Sequence, residues 1–329
     1  MSVAFPEPDT LRAVLSMAMR APSVHNSQPW HWRVGPSSLQ LYADYSRHLP
    51  NTDPDRRDMM VSCGAALHHC TVALAALGWQ ARIRRFPDPA DPIHLASIEM
   101  RPLVAGELDI MLAAAITRRR TDRRNYGSWP VPGGDIALLG ARAARAGVML
   151  RQLDLLPHLT ETVAQSVRKH AADIDYLTEL SAWSGRYGSP AGVPAHNTPA
   201  PDVRATIPAR IFAGPVLSQP SETPAAEDNA VLLALGTETD DDLARLRAGE
   251  ATSLVLLSAT AMGLATCPVT EPLEITQTRE AVREDVFGTS GYPQMMVRIG
   301  WAAVNADPLP ATPRRPFAEV VEGSDICVA

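Results

Sequence analysis

An eight-residue run from Thr117 to Arg124 carries the densest group of cationic side chains in the chain, and its sequence is TRRRTDRR. Arginine offers a planar fork of N–H donors that matches a phosphate group, and a threonine hydroxyl can add one more donor. A second basic segment, Thr312-Pro313-Arg314-Arg315-Pro316, follows near the C-terminus. Both segments could bind an anion, although each could also be a solvated charged surface.

The segment from Arg20 to Trp30 is a polar loop with the sequence RAPSVHNSQPW. Its two prolines restrict the backbone. Four of its side chains can form hydrogen bonds: Ser23, His25, Asn26 and Gln28. Such a loop suits a polar ligand, although serine and asparagine are also common in ordinary turns. His25 either contacts the ligand or only braces the loop.

Hydrophobic periodicity predicts the elements that position these segments. The first part of the chain should contain a helix, a hairpin of two strands, a helix rich in alanine and leucine, and two further strands. Their predicted bounds are Asp9–Met19, Trp30–Val34, Leu39–Ala43, Gly64–Gly78, Gln80–Phe86 and His94–Arg101. The second part should contain a helical stretch at 159–183 and strands at 231–236 and 264–269.

The segment 184–227 is rich in proline and glycine and lacks periodicity. A loop of this length is usually either a lid or a disordered linker. Several large apolar residues within it argue against disorder. We therefore predict a packed lid.

The alanine-rich helix occurs twice. Gly64 aligns with Gly249 and Gly78 with Gly263, both at an offset of 185 residues, and Asp55 matches Asp240 at the same offset. Two alanine-rich helices can look alike by chance, but an internal duplication is the favoured interpretation.

Composition limits the classes of protein to which the chain can belong. The chain has 329 residues, 46% of them hydrophobic and 20% charged, which predicts a soluble globular protein. Its formal net charge of −6 disfavours nonspecific nucleic-acid binding. We find no secretory signal and no apolar run of about 20 residues that would cross a membrane. The expected location is cytoplasmic.

Metal and disulfide chemistry are not predicted. The cysteines at 63, 70, 267 and 327 show no CxxC spacing. His68, His69 and Cys70 are consecutive on a predicted helix, so they point about 100° apart. No GxGxxG after a strand, Walker A or GxSxG motif is present, which excludes Rossmann dehydrogenases, P-loop enzymes and α/β-hydrolases.

Two of these patterns resemble motifs of the FMN-dependent nitroreductase superfamily: APSxxNxQPW at Ala21–Trp30, and the arrangement Arg119-x-Thr121-x-Arg123. With the segment 226–249, the chain resembles the Acg family of actinobacterial nitroreductase-like flavoproteins over nearly its whole length. The resemblance implies an α+β nitroreductase fold with mixed or antiparallel sheets flanked by helices. It also implies two tandem related halves, 1–110 and 111–329, which form a fused pseudo-dimer in a monomeric chain.

The resemblance implies an FMN site with named parts. Arg119 and Thr121 would hold the phosphate, Arg123 would lie against the N1/O2 edge of the flavin, and a proline-led loop at 267–271 would face N5 and O4. Thr270 and Glu271 stand where many active relatives carry Glu followed by Gly. The expected cofactor-binding residues are Pro22, Ser23, Val24, Asn26, Arg119, Thr121, Arg123, Pro268, Val269, Thr270, Arg314 and Arg315.

Only one composite site is complete, because the first half has no arginine motif before its helix and the second half has no APSxxNxQPW loop. We therefore expect one FMN per chain, and weak or absent turnover with NAD(P)H. The alternative is an active NAD(P)H-dependent nitroreductase or quinone reductase. Hydride transfer to a flavin needs little protein acid–base chemistry, so no catalytic residue is assigned. A protein that binds no flavin is the third hypothesis.

Overall fold

The computed structural model describes residues 5–153, 157–202, 205, 209–220 and 228–323. Cys327 and parts of the segment 184–227 lie outside these residues. The described helices, α1 to α10, are Pro8–Ala18, Arg57–Ala76, Glu107–Arg118, Gly133–Arg145, Pro157–Ala172, Ile174–Trp183, Asp242–Ala261, Glu271–Glu274, Thr276–Val286 and Phe317–Val320. The described strands, β1 to β11, are Trp30–Val34, Ser38–Ala43, Trp79–Arg85, His94–Pro102, Met149–Leu153, Ser184–Arg186, Val193–Pro194, Val231–Thr237, Ala265–Val269, Tyr292–Gly300 and Val321–Glu322.

Of the two larger sheets, one is mixed and the other is antiparallel. The first has the order β11-β1-β2-β4-β3, in which β11 pairs in parallel with β1 and the other pairs are antiparallel. The second has the order β5-β8-β10-β9 and is antiparallel throughout. The first sheet packs on α1 and α2, and the second on α4 and α7. The predicted α+β class is confirmed.

Helices α2 and α7 cross at the centre of the molecule through the two glycines that the repeat had matched. A Cβ on Gly64 would lie 2.0 Å from the carbonyl oxygen of Leu246, and a Cβ on Gly249 would lie 2.0 Å from that of Val61. Leu246 is itself 185 residues after Val61, so the two contacts are reciprocal. Equivalent surfaces meet in this way across a two-fold axis. The duplication itself stays a prediction.

The C-terminal segment crosses the proposed division of the chain. Residue 110, where we placed the boundary, lies inside α3. Strand β11 comes from the end of the chain but extends the first sheet beside β1. The first predicted half therefore completes its sheet with residues of the second.

Most predicted elements are present with shifted ends. Helix α2 begins seven residues before the predicted start at Gly64, and the helical stretch at 159–183 is two helices, α5 and α6. The predictions omitted α3, α4, α8, α9, α10, β5, β6, β7, β10 and β11. Strand β10 is buried along most of its length, so it lacks the alternation from which strands were predicted.

Helix α2 is long and apolar enough to cross a membrane by length and composition alone. Of its apolar window, 78% is buried inside the protein. It is therefore the central helix of the core.

Two adjacent histidines on α2 meet α7 at one hydroxyl group. His68 Nδ1 lies 2.7 Å and His69 Nδ1 lies 2.9 Å from Ser253 Oγ. Burial lowers the pKa of His68 to about 4. Burial, together with the positive charge of Arg119, takes the pKa of His69 well below its usual value. Both rings are therefore neutral in the folded protein at neutral pH.

These pKa shifts predict that the two histidines weaken the fold in acid. In the unfolded chain both gain a proton near pH 6.5, so that state binds more protons as the pH falls. At a pH of about 5.5 we expect a loss on the order of 1 kcal/mol per histidine. Burial raises the pKa of Asp53 to about 7 and that of Asp58 to about 8, and these carboxyl groups act in the opposite direction over the same range. The histidine contribution is therefore measured as a difference: the melting temperature of His68→Asn should rise relative to that of the parent as the pH falls from about 7 to about 5.5. His158→Gln, which removes an exposed ion pair with Asp285, is the control and should show a smaller change. A difference between His68→Asn and the parent that does not change with pH would contradict the prediction.

Candidate functional site

Four arginines gather where α1, α3 and the C-terminal segment meet: Arg20, Arg119, Arg120 and Arg314, here called the arginine cluster. Arg119 follows the last residue of α3 and is 7% exposed. Arg314 donates through Nε to the Met19 carbonyl at 2.9 Å and through Nη2 to the Arg20 carbonyl at 2.8 Å. Within the described part of the chain, none of the four forms an ion pair with a carboxylate.

The cluster is electrostatically unbalanced. Burial and the neighbouring arginines lower the pKa of Arg119 to about 10 and that of Arg314 to about 9. The buried Nε atoms of Arg20, Arg119 and Arg120 have no hydrogen-bond acceptor among the described residues. Uncompensated buried cations are costly, so this arrangement can bind an anion.

Other arginines of the predicted basic segments already have partners. Arg315 Nη1 lies 3.1 Å from the carboxylate of Asp44, and Arg124 Nη2 lies 2.8 Å from that of Asp122. Arg118 is exposed. Of the two arginines predicted in the C-terminal segment, the structure therefore places only Arg314 in the cluster.

The polar loop connects three parts of the molecule. Asn26 Nδ2 donates to the carbonyls of Gly192 at 3.0 Å and Pro313 at 3.2 Å, and Asn26 Oδ1 accepts from Arg314 Nη1 at 3.2 Å. The backbone N–H of Val24 donates to Ser62 Oγ on α2 at 3.1 Å. The side chain of Asn26 therefore joins the loop to the segment 184–227 and to the C-terminal segment.

The segment at 267–271 is not a loop. Pro268 and Val269 belong to β9, and Thr270 precedes α8. Proline is tolerated in β9 because this strand lies at the edge of its sheet. Thr121 forms a parallel bridge to Thr266, which brings the arginine run beside the same strand.

Arg210, from the segment 184–227, connects that segment to α8. Its Nη1 lies 2.8 Å from His25 Nε2 and donates to Tyr176 Oη at 2.6 Å. Its Nη2 donates to Thr270 Oγ1 at 3.2 Å and to the carboxylate of Glu274. Sequence reasoning missed Arg210, because no motif surrounds it.

A deep cavity lies between these elements. It contains about 1530 Å³ of space without protein atoms, counting its open mouth. Eight of the twelve residues predicted to bind the cofactor line it: Pro22, Ser23, Val24, Thr121, Arg123, Pro268, Val269 and Thr270. The other four, Asn26, Arg119, Arg314 and Arg315, do not line it. Arg119 lies behind the cavity wall and contacts it at Thr121, whose Oγ1 lies 3.4 Å from Arg119 Nη1.

Arg123 lies on the cavity wall against the segment 184–227. Its guanidinium stacks over the ring of Phe212 at 4.9 Å and donates to the carbonyl of Asn197 at 3.2 Å. Burial lowers its pKa. The described part of the chain holds no group of three or more His, Cys, Asp or Glu side chains arranged to bind a metal ion.

The chain belongs to the nitroreductase family, whose model matches residues 116–301. It is 63% identical to the Mycobacterium tuberculosis protein named “Putative NAD(P)H nitroreductase Rv3131”, over 98% of this chain and 94% of that one. It is 36% identical to the M. tuberculosis protein named “Putative NAD(P)H nitroreductase acg”, over 95% of each chain. The resemblance to the Acg family is confirmed.

Among solved structures, the chain is similar to the FMN-dependent nitroreductase NfnB from Mycobacterium smegmatis in complex with NADPH. The two are 15% identical, and the match covers 66% of this chain and 100% of that one with a TM-score of 0.40.

Proposed function

We propose that the chain binds one FMN with its phosphate at the arginine cluster and its ring system in the adjoining cavity. The observation that carries this proposal is the arginine cluster, in which Arg119 is buried and the other three are half-buried, without carboxylate partners in the described residues. A phosphate dianion would satisfy both their charge and their free N–H groups. FMN, when bound, supplies the capacity to accept and donate a hydride.

The residues around the cavity fit this cofactor. Arg119 and Thr121 offer a fork of N–H donors and a hydroxyl close together at one end. Arg123 provides a cation on the cavity wall, where it can stabilise negative charge on a reduced ring system. The loop residues Pro22 to Val24 and the end of β9 form further parts of the wall.

We further propose that the segment 184–227 is a lid and that the chain holds FMN with little or no turnover by NAD(P)H. The lid reaches across the cavity through Arg210, whose guanidinium contacts four side chains on three other segments. Its Pro190 carbonyl also accepts from Gln28 Nε2 at 2.9 Å. A lid held in this way would keep a nicotinamide away from the ring system.

The alternative is an active NAD(P)H-dependent nitroreductase or quinone reductase. It is favoured by the 63% identity to a protein named as an NAD(P)H nitroreductase. In that case the lid must open on each catalytic cycle.

Anaerobic addition of NADPH to the FMN-loaded protein separates the two functions. Loss of the visible flavin absorbance within seconds supports the reductase. A spectrum that changes only on addition of dithionite supports a protein that holds FMN without turnover by NADPH. Protein that stays colourless after reconstitution with FMN contradicts both.

If the chain is a fused pseudo-dimer, flavin released from the denatured protein should amount to one FMN per chain, and sedimentation should show a monomer.

Releasing the lid should accelerate reduction by NADPH. In the double variant Arg210→Met/Glu274→Gln, the cross-link is lost without leaving the buried carboxylate of Glu274 unpaired. If lid opening limits the reaction, we expect the rate of flavin reduction to rise at least about tenfold. The matched control is Arg168→Met, which removes an exposed ion pair with Glu161. Equal rates in the parent and the double variant would show that the lid is not the barrier.

A further inference from the structure

His25 has a backbone conformation that is uncommon for residues other than glycine. Its φ is 45° and its ψ is 26°, in the left-handed region. The side chain is nevertheless only 6% exposed and lines the cavity. Asn26 and Gln28 of the same loop also have positive φ, but of the three only His25 lines the cavity.

Arg210 determines which ring nitrogen of His25 carries the proton. Its Nη1 lies 2.8 Å from Nε2 of the ring. A guanidinium group can only donate, so Nε2 must be an unprotonated acceptor. The neutral ring then carries its hydrogen on Nδ1.

The contact is fixed by the other bonds of the same guanidinium. Each terminal nitrogen of Arg210 has two N–H groups and two acceptors: Nη1 contacts His25 and Tyr176, and Nη2 contacts Thr270 and Glu274. Burial, followed by the positive charge of Arg210, lowers the pKa of His25 well below its usual value. The ring therefore stays neutral.

The remaining ring nitrogen has no partner. Nδ1 of His25 is buried and has no hydrogen-bond partner among the residues that the structure describes. A buried donor without an acceptor is unfavourable, and such groups are rare unless a ligand or water completes them. The neighbouring cavity supplies the space for a ligand.

We infer that His25 is a ligand-binding residue whose Nδ1–H donates to an acceptor atom of the molecule bound in the cavity. Suitable acceptors are a ring nitrogen, a carbonyl oxygen or a nitro oxygen. The identity of the ligand rests on the proposed function, so the acceptor belongs either to FMN or to an electron-accepting substrate above it. Phe212 of the lid packs edge-on against the ring at 6.0 Å, so the closed lid holds the donor in place.

Nuclear magnetic resonance of protein labelled with 15N-histidine tests this directly. In the FMN-free protein we expect His25 to be neutral and protonated on Nδ1. Adding FMN, and then 1,4-naphthoquinone, should shift the Nδ1–H resonance downfield at one of the two steps, and that step identifies the ligand. A ring protonated on Nε2, or a resonance that neither probe moves, would overturn the inference.

A pair of variants separates the donor from the backbone conformation. Both His25→Asn and His25→Gly tolerate a positive φ, but only asparagine keeps an N–H group near the position of Nδ1. For the ligand identified by the resonance, the glycine variant should bind about tenfold more weakly and the asparagine variant within about threefold of the parent. Equal affinity of the two variants would contradict a donor role.

FMN binding tests the proposed function, whereas the protonation of His25 tests the inference. If FMN does not bind, the proposed function is wrong. The protonated nitrogen of His25, and its response to 1,4-naphthoquinone alone, then decide the inference independently.

Discussion

Replacing Arg119 with methionine should weaken FMN binding by about 100-fold, because a bidentate charge-assisted contact with the phosphate is worth roughly 3 kcal/mol. The same change should not destabilise the FMN-free protein. Arg119 is buried among other cations, and no carboxylate of the described residues pairs with it. Its removal relieves repulsion, so the melting temperature without FMN should equal or exceed that of the parent.

These opposite effects distinguish a phosphate anchor from a structural arginine. Arg85→Met provides the control, because Arg85 Nε and Nη2 both lie 2.6 Å from the carboxylate of Glu250. That variant should lower the melting temperature and change the FMN dissociation constant by less than about twofold. Titration of FMN fluorescence gives the affinities. An unchanged dissociation constant for FMN in Arg119→Met would show that the FMN phosphate does not bind at the arginine cluster.

Of the glycine-to-alanine substitutions, those at the two glycines of the central helix crossing should be the most destabilising. At Gly64 and at Gly249 the added methyl group would lie 2.0 Å from a backbone carbonyl oxygen of the facing helix. A backbone atom cannot rotate away, so the helices must separate and both sheets lose packing. We expect each variant to lose about 3 kcal/mol or more.

The double variant tests whether the two contacts are one feature. Once α2 and α7 have moved apart, the second methyl group meets less resistance, so the losses should be less than additive. Gly140→Ala is the matched control, because no heavy atom lies within 4 Å of its added Cβ and helix α4 should gain about 0.5–1 kcal/mol. Melting temperatures of the four variants decide the question. Full additivity would argue against the reciprocal contact.

Local patterns in the sequence were sufficient for several features. The alternation of β1 to β4 places one side of each strand on α1 and α2, so periodicity found these strands. The spacing of Arg119, Thr121 and Arg123 identified the segment that meets the cavity. The offset of 185 residues matches Gly64 with Gly249, the two glycines that meet where α2 and α7 cross.

The assignment of individual arginines depended on the fold. Arg314 and Arg315 are adjacent and equivalent in sequence, yet Asp44 neutralises only Arg315, from 271 positions away. Arg20 joins the cluster although its sequence position places it only at the start of the polar loop. An arginine can bind an anion only if no carboxylate already pairs with it. That carboxylate can come from a remote segment, and sequence patterns do not give the distance between the two side chains.

The sequence by itself therefore indicated the family, two helices of similar sequence and the segments from which a site would be built. Only the tertiary structure decided which cations lack a partner, and that Arg210 reaches His25 from 185 positions along the chain. The physical reason is the separation in sequence over which each kind of interaction acts. Helix and strand patterns arise between near neighbours, whereas charge balance and the protonation of a buried ring are set by contacts between segments far apart in sequence.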